Sequence, residues 1–373
     1  MKRIYLDHNA TSPVLPRARE EAMDELAEPA GHPDALHRGG IAARSRLNRA
    51  RERIAQALSA HPSEIVFTSG GSEGNATALH AMTSGSSPAR IIVGATEHPS
   101  VLDALDRLVQ AGRAEALRLP VDANGRMDAQ SLANAARGAQ GLALMAANNE
   151  TGVLTDLEST ARIVAEFSLH WHCDAVQLCG RAPMTLSAGP LSAASTLAMS
   201  GHKLGALPGT GVLFVRDQTA LAPLIGGSDQ EGGRRGGTPN MPGALSLAAA
   251  FDAAQAMDSR LRDRLEAGIR ARFPHATVHG EGAERLPQTL SIALASDTGA
   301  WLDAEELQLA LAERWIAVAT GAACTSGSGD PSHVLLAMGC SAEIANATLR
   351  FSLGPETTEA CVDAVVKALD EIV

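Results

Sequence analysis

The sequence predicts an α/β fold on a mostly parallel sheet, followed by a smaller α+β region. From about residue 60 to 216, short aliphatic or β-branched runs alternate with longer stretches of helical periodicity. Each of several predicted strands runs directly into a polar cluster. Beyond the glycine-rich stretch IGGSDQEGGRRGGTPN at 225–240 that alternation stops, and a long helical run leads into the remainder.

Strands are expected near residues 64–68, 90–95, 142–147, 170–174, 197–199 and 211–215, with helices at 75–82, 100–111 and 158–167 between them. The polar clusters are SGGSEGN at 69–75, EHP at 97–99, NNE at 148–150, DAVQ at 174–177 and SGHK at 200–203. Carboxyl ends of strands line the ligand crevice in open α/β sheets, so the five clusters should converge on one site. A helical run from Ala244 to about Phe273 is expected to connect a large domain to a smaller one. Further on, Asp303 and Asp330 are candidate N-caps, Pro331 a first helical residue and Gly339 a stop. A strand at 349–353 then precedes a last helix from about Thr357, and the N-terminal residues are expected near the same site.

With 373 residues, 45% of them hydrophobic, the chain can bury a large core or two adjoining ones. No apolar run approaches the ~20 residues of a membrane span, and Asp7 and His8 precede any stretch of signal-peptide length. A soluble, cytoplasmic protein is expected. The net charge of −11 argues against general nucleic-acid affinity, and the arginines between Arg38 and Arg53 alternate with Glu and Ala as on a solvated helix face. Five scattered cysteines without a CxxC pair suggest neither a disulfide framework nor a zinc ribbon, and HWHC at 170–173 has no second ligand pair, so no metal is expected.

Lysine occurs only at positions 2, 203 and 367, with arginine supplying every other basic side chain. A permanently protonated guanidinium cannot form an imine, which singles out Lys203. It can form one with an aldehyde cofactor, or it can be a surface lysine in a turn. SGGSEGN after a strand can open a helix whose N–H groups take a phosphate, with the Ser72 hydroxyl beside them, or it can be a plain tight turn. Its spacing matches neither a nucleotide P-loop nor a dinucleotide fingerprint. Asp174 can hold a pyridinium nitrogen protonated or merely cap a helix, and His98 can stack on a ring, move a proton or do neither. Cys324 sits among Gly, Ser and Thr in TGAACTSGSGDPSHVL, the setting of a reactive thiol rather than a packed one, whereas Cys340 and Cys361 read as structural.

Taken in order, YLDHNATSPV, LHRGGIAAR, FTSGGSEGN, EHP, NNETGV, HCDAVQ, SGHKLG, QEGGRRGGTPN, GAACTSG, PSHVLLAMG and LRFSLG resemble the cysteine desulfurases, specifically the nitrogen-fixation type of class I, nearly end to end. The resemblance implies pyridoxal 5′-phosphate (PLP) as cofactor and a fold of the aspartate-aminotransferase type (PLP fold type I). That fold has a large domain around a mixed, mostly parallel seven-stranded sheet and a small α+β C-terminal domain. The large domain would span residues 15–255, and residues 1–14 with 256–373 would form the small one. A homodimer, L-cysteine as substrate and a sulfur-acceptor protein such as an iron–sulfur scaffold, in nitrogen fixation or elsewhere, are also implied.

Position by position, the resemblance makes Lys203 the imine-forming lysine, Asp174 the partner of the pyridine nitrogen and Gln177 that of the phenolate oxygen. His98 would stack on the ring. Ser72, Ser200 and His202 would hold the phosphate, with Thr238 reaching it from the other subunit. Asn149 would touch cofactor or substrate, and Arg350 would clamp the substrate carboxylate. Lys203, once released, would move the Cα proton, and Cys324 would take the sulfur as a persulfide as alanine forms. Four departures stand out: Ser72 for a usual Thr, GGSDQEGG one residue longer than usual, Arg181 for a usual Lys, and ALPGTG without the usual Lys after Gly205. The last three are expected to bear on subunit contacts rather than chemistry. Competing readings are another PLP enzyme of the same fold, such as an aminotransferase or selenocysteine lyase, and a silent partner in sulfur transfer.

Overall fold

The structure, a computed structural model, describes residues 3–28, 31–321 and 330–373. A short strand, β1 (Ile4–Tyr5), comes first. The main sheet follows as β2 (Ile65–Thr68), β3 (Ala89–Gly94), β4 (Ala114–Leu119), β5 (Gly141–Ala143), β6 (His170–Asp174), β7 (Thr196–Ser200) and β8 (Gly211–Val215). Its order is β2-β8-β7-β6-β5-β3-β4, with β8 antiparallel to both neighbours and the other pairings parallel. The sheet is therefore mixed and mostly parallel with seven strands, as expected.

Apart from the edge strand β4, its strands are largely buried on both faces, as helix-covered sheets require. Ile91, Ile92, Trp171, Leu197 and Phe214 are fully buried. The crossover helices start where the sequence supplies caps. Asp156 accepts from the Ser159 N–H at 3.0 Å ahead of the helix Leu157–Phe167, and Pro99 opens the helix Pro99–Gln110, which buries Val101, Leu102 and Leu105.

Strand β4 was not among the expected strands. Its sequence, AEALRL, is rich in helix formers, and pairing along β3 at the sheet edge overrides that preference. The expected single helix across 244–273 is two, Met241–Ala253 and Arg260–Arg272. Between them Asp258 accepts from the Arg260 N–H at 3.0 Å and Ser259 bonds Asp263 at 2.7 Å, so short polar side chains compete for backbone groups and break the run. The helix expected at Pro331 starts instead at His333 with Ser332 as its cap, while Asp303 caps as expected.

The remaining strands are β9 (Thr277–Val278), β10 (Thr289–Ala293), β11 (Ile316–Ala317), β12 (Ala319–Thr320) and β13 (Thr348–Ser352). A four-stranded sheet runs β12-β13-β10-β9, and β1 pairs with β11. Leu6 packs with Leu265, Leu290, Phe351 and Leu369 in a core separate from that under the main sheet. Asp7 bridges to Ser352, which brings residues 7–10 to the edge of the main sheet's carboxyl ends. Among the described residues no helix is long and apolar enough to cross a membrane.

Candidate active site

A cavity of about 330 Å³ opens where the carboxyl ends of β2, β6 and β7 meet the N-terminal segment. Nine of the eleven expected site residues line it: Ser72, His98, Asn149, Asp174, Gln177, Ser200, His202, Lys203 and Arg350. Thr238 is exposed and not part of the lining, and Cys324 lies outside the described residues.

Lys203 is held on a short helical turn, Gly201–Leu204, that follows β7 directly. Gly205 ends the turn at φ +85, a conformation an L side chain resists, and a Cβ at Gly201 would come within 2.4 Å of Thr210 Oγ1. Glycine on both sides of HKL therefore aims the lysine inward. Its Nζ donates to the carbonyls of Asn9 and Ala10, both at 2.6 Å.

Asp174 ends β6. One carboxylate oxygen accepts the Val176 N–H at 2.9 Å and the other accepts Asn75 Nδ2 at 2.7 Å. The same Asn75 amide nitrogen donates to Ser100 Oγ at 2.9 Å, which fixes Asn75 Oδ1 as the acceptor of His172 Nε2 at 2.9 Å. Ser100 in turn donates its backbone N–H to His98 Nδ1 at 3.1 Å, leaving the His98 proton on Nε2. Burial pulls the His98 pKa below its usual value, with Lys203 and His333 adding to the effect against Asp174. A neutral ring able to lie over another ring is the result. His202 is also neutral, pulled down to about 4 by burial and by Lys203 and Arg181.

Asn148 accepts the backbone N–H groups of Glu150 and Thr151 at 2.9 Å, a local turn that presents Asn149. Among the described residues, Asn149 Oδ1 is buried without a partner, and so is Arg350 Nε. Arg350 is otherwise fixed by Asp7 Oδ1 at 2.9 Å and the Asn149 carbonyl at 3.2 Å.

The helix Gly71–Met82 begins without a side-chain cap, so its first N–H groups face the cavity beside Ser72 and Ser200. A Cβ at Gly71 would come within 2.7 Å of Val176, so the backbone lies as close to the cavity floor as glycine permits. An open helix end, two hydroxyls, a carboxylate at one side, a neutral imidazole at another and a lysine amine match the phosphate, pyridine ring and aldehyde of PLP. The unpartnered Asn149 and Arg350 atoms leave hydrogen-bonding capacity for a ligand.

Asn9, Asn75, Ser100 and Arg181 were missed by sequence reasoning. Asn75 closes the quoted SGGSEGN motif, and its period relative to Ser72 was the available signal. Arg181, expected at subunit contacts, is instead buried behind the cavity wall, where it bonds Gln177, Asn9 and the His8 carbonyl. Glu150 accepts a hydrogen bond from Ser332 Oγ, and His333 Nε2 lies 3.0 Å from the Glu97 carbonyl, so the polypeptide just after residues 322–329 is tied to the NNE and EHP clusters. A larger cavity of about 690 Å³ adjoins the site, but Asp128 and Asp156 there cap helices and Asp122 pairs with Arg126.

Burial drives the His172 pKa down to about 3. An unfolded chain protonates this group below its ordinary value near 6.5 and the folded chain resists, so the stability it contributes is complete above pH 6.5 and is lost as pH falls towards 3. His172→Gln lacks this penalty. Its destabilisation relative to the parent is expected to shrink by roughly 3 kcal/mol between pH 6.5 and 4, at about 1.4 kcal/mol per unit. Urea midpoints across that range measure it, and a pH-independent difference would show that His172 titrates normally in the fold.

The model of the class-V aminotransferase family matches residues 4–365. The chain belongs to this family of PLP-dependent enzymes. Within it, the chain stands with the cysteine desulfurases. It is 39% identical to cysteine desulfurase NifS of Azotobacter vinelandii over 383 residues, covering all of this chain and 93% of that one, and 38% identical to a cysteine desulfurase of Trichormus azollae with the same coverage. The solved structure of a NifS-like protein superposes with a TM-score of 0.89 at 31% identity over all of this chain and 99% of that one. That of SspA in complex with cysteine gives 0.84 at 29%, over 96% and 100% respectively.

Proposed function

We propose that this enzyme removes sulfur from L-cysteine to leave L-alanine and a persulfide on Cys324, from which an acceptor protein such as an iron–sulfur scaffold takes the sulfur. The observation that carries the reading is the convergence of Lys203, Asp174 and Arg350 on one cavity beside an uncapped helix end. Lys203 would hold PLP, Asp174 would face the ring nitrogen, Gln177 its phenolate oxygen and His98 its face. Ser72, Ser200 and His202 would take the phosphate. When bound, the cofactor supplies an electron sink for charge developing at the substrate Cα.

The chain's own groups do the rest. Arg350, aligned by Asp7, would bind the substrate carboxylate, and the Asn149 Oδ1 can accept from an N–H of the bound ligand. Lys203, once its amine is free, would take the Cα proton and carry it within the same cavity. His98, with its proton on Nε2, can pass a proton on the cavity side. The Cys324 thiolate attacks the substrate sulfur: a sulfur–sulfur bond forms, the Cβ–sulfur bond breaks, and the electron pair left on carbon is protonated to give alanine.

A homodimer belongs to the same proposal. Thr238 is exposed and away from its own chain's cavity, and Met23, Leu26, Leu36 and Ile41 are exposed apolar side chains near one another in sequence, which supports a second copy reaching across. The division into residues 15–255 and 1–14 with 256–373, a cytoplasmic location and a role in iron–sulfur or nitrogenase assembly complete the proposal. The purified holoenzyme given L-cysteine and a thiol reductant is expected to make alanine and sulfide in equal amounts. Pyruvate without alanine would overturn the reading in favour of a lyase of the same fold.

A further inference from the structure

Arg181 is 5% exposed and lies four residues beyond Gln177. Gly180 makes its position possible. It sits at φ +72, and a Cβ there would come within 2.3 Å of Leu204, so only glycine lets the chain fold back and place the next side chain under the cavity wall. The guanidinium donates to Asn9 Oδ1 at 3.0 Å, to Gln177 Oε1, and to the His8 carbonyl at 2.7 Å. No carboxylate pairs with it among the described residues.

A guanidinium has five donors and no acceptor, so its contact decides which end of the Gln177 amide is oxygen. Oε1 must point back to Arg181, and the NH2 must point to the cavity side, where Nε2 now donates to the Asn9 carbonyl at 3.0 Å. That same carbonyl accepts Lys203 Nζ. Arg181, Gln177, Asn9 and Lys203 therefore form one connected set. A cation fixed on the carbonyl end of an amide also polarises it and strengthens its N–H as a donor. Burial and Arg350 draw the Arg181 pKa down to about 10, which leaves it charged at neutral pH.

We propose that Arg181 is a positioning residue that orients and polarises the Gln177 amide, and through it sets the ionisation of the cofactor held in front of that amide. This rests on the reading above that Gln177 meets the phenolate oxygen of PLP. A buried cation with only neutral partners raises the energy of any added positive charge nearby, so its removal makes protonation of the bound cofactor easier.

The readout is the visible absorption band of the holoenzyme, titrated from pH 6 to 10 in Arg181→Met, Arg181→Gln, Arg181→Lys and Gln177→Ala. Asp174, His98, His202, His8, Lys203 and Arg350 also face the cavity or its back wall and are unchanged in the Arg181 variants. The midpoint of the band is expected to rise by about one pH unit or more in the two neutral variants and to stay near the parent value in Arg181→Lys. A band that moves in Gln177→Ala but not in Arg181→Met or Arg181→Gln would reduce Arg181 to packing and overturn the proposal. A band unmoved by Gln177→Ala would instead overturn the placement of Gln177. If both neutral variants lose cofactor and melt well below the parent while Arg181→Lys does not, Arg181 serves the fold alone and the proposal fails.

Discussion

Lys203→Ala is expected to lower alanine formation from L-cysteine by about 1000-fold or more, since on the proposed roles it removes both the covalent attachment of the cofactor and the base at Cα. Among the described residues the fold leaves no substitute. Lys367 is exposed on the last helix and paired with Glu371, far in the chain from every cavity residue but Arg350. Arginine cannot replace it, because a guanidinium neither forms the imine nor gives up its proton. Borohydride reduction of the parent holoenzyme should fix the cofactor to the peptide holding Lys203, and the variant should release it on dialysis. Activity within tenfold of the parent, or labelling of another peptide, would remove Lys203 from the centre of the mechanism. Because Nζ donates to the backbone carbonyls of residues 9 and 10, the variant also removes one donor from each, leaving the Asn9 carbonyl with Gln177. Parallel melting curves separate that effect from lost chemistry.

Cys324→Ala is expected to abolish sulfide and persulfide formation while leaving cofactor binding and exchange of the substrate Cα proton with solvent intact. The other four cysteines do not compete. Cys173 and Cys179 are fully buried, which pushes the Cys173 thiol well up and the Cys179 thiol to about 12. Burial also raises the Cys340 thiol, and Cys361 lies on the last helix, outside the cavity lining. A thiolate is the nucleophile, so thiols held neutral are poor acceptors of sulfur. Mass spectrometry of alkylated protein after a single turnover locates the persulfide. If Cα exchange also stops in the variant, Cys324 acts before the sulfur step. Full sulfide production would make the thiol dispensable and favour a lyase.

Most of the main sheet was readable because β-branched runs and polar clusters alternate, and His170–Asp174 and Gly211–Val215 fall where the pattern puts them. Strand β4 was not, since AEALRL is specified by its neighbour β3 rather than by its own residues. The lining of the cavity was legible where a motif follows a strand end directly, as at Lys203 and Asp174. Residues whose role depends on distant partners were not. Asn9 touches Thr289 and Asn149, and the burial of Arg181 follows from Gly180 and Leu204, neither of which advertises it. The break at 254–259 was hidden because the residues on either side continue a helical period.

The pairing of Asp7 with Arg350 spans 343 residues of sequence. At ribosomal rates of 5–20 residues per second, roughly 20 to 70 s separate the synthesis of the two side chains. Every proposed cofactor contact within this chain, from Ser72 to Lys203, is made well before the proposed clamp for the substrate carboxylate. A nascent chain can therefore assemble the main sheet and the cradle at its carboxyl ends while it still has no means of gripping an amino acid. Order of synthesis thus sets order of competence: the residues proposed to hold the cofactor are made first, and the proposed grip on substrate is added only when the last strand closes over the first residues made.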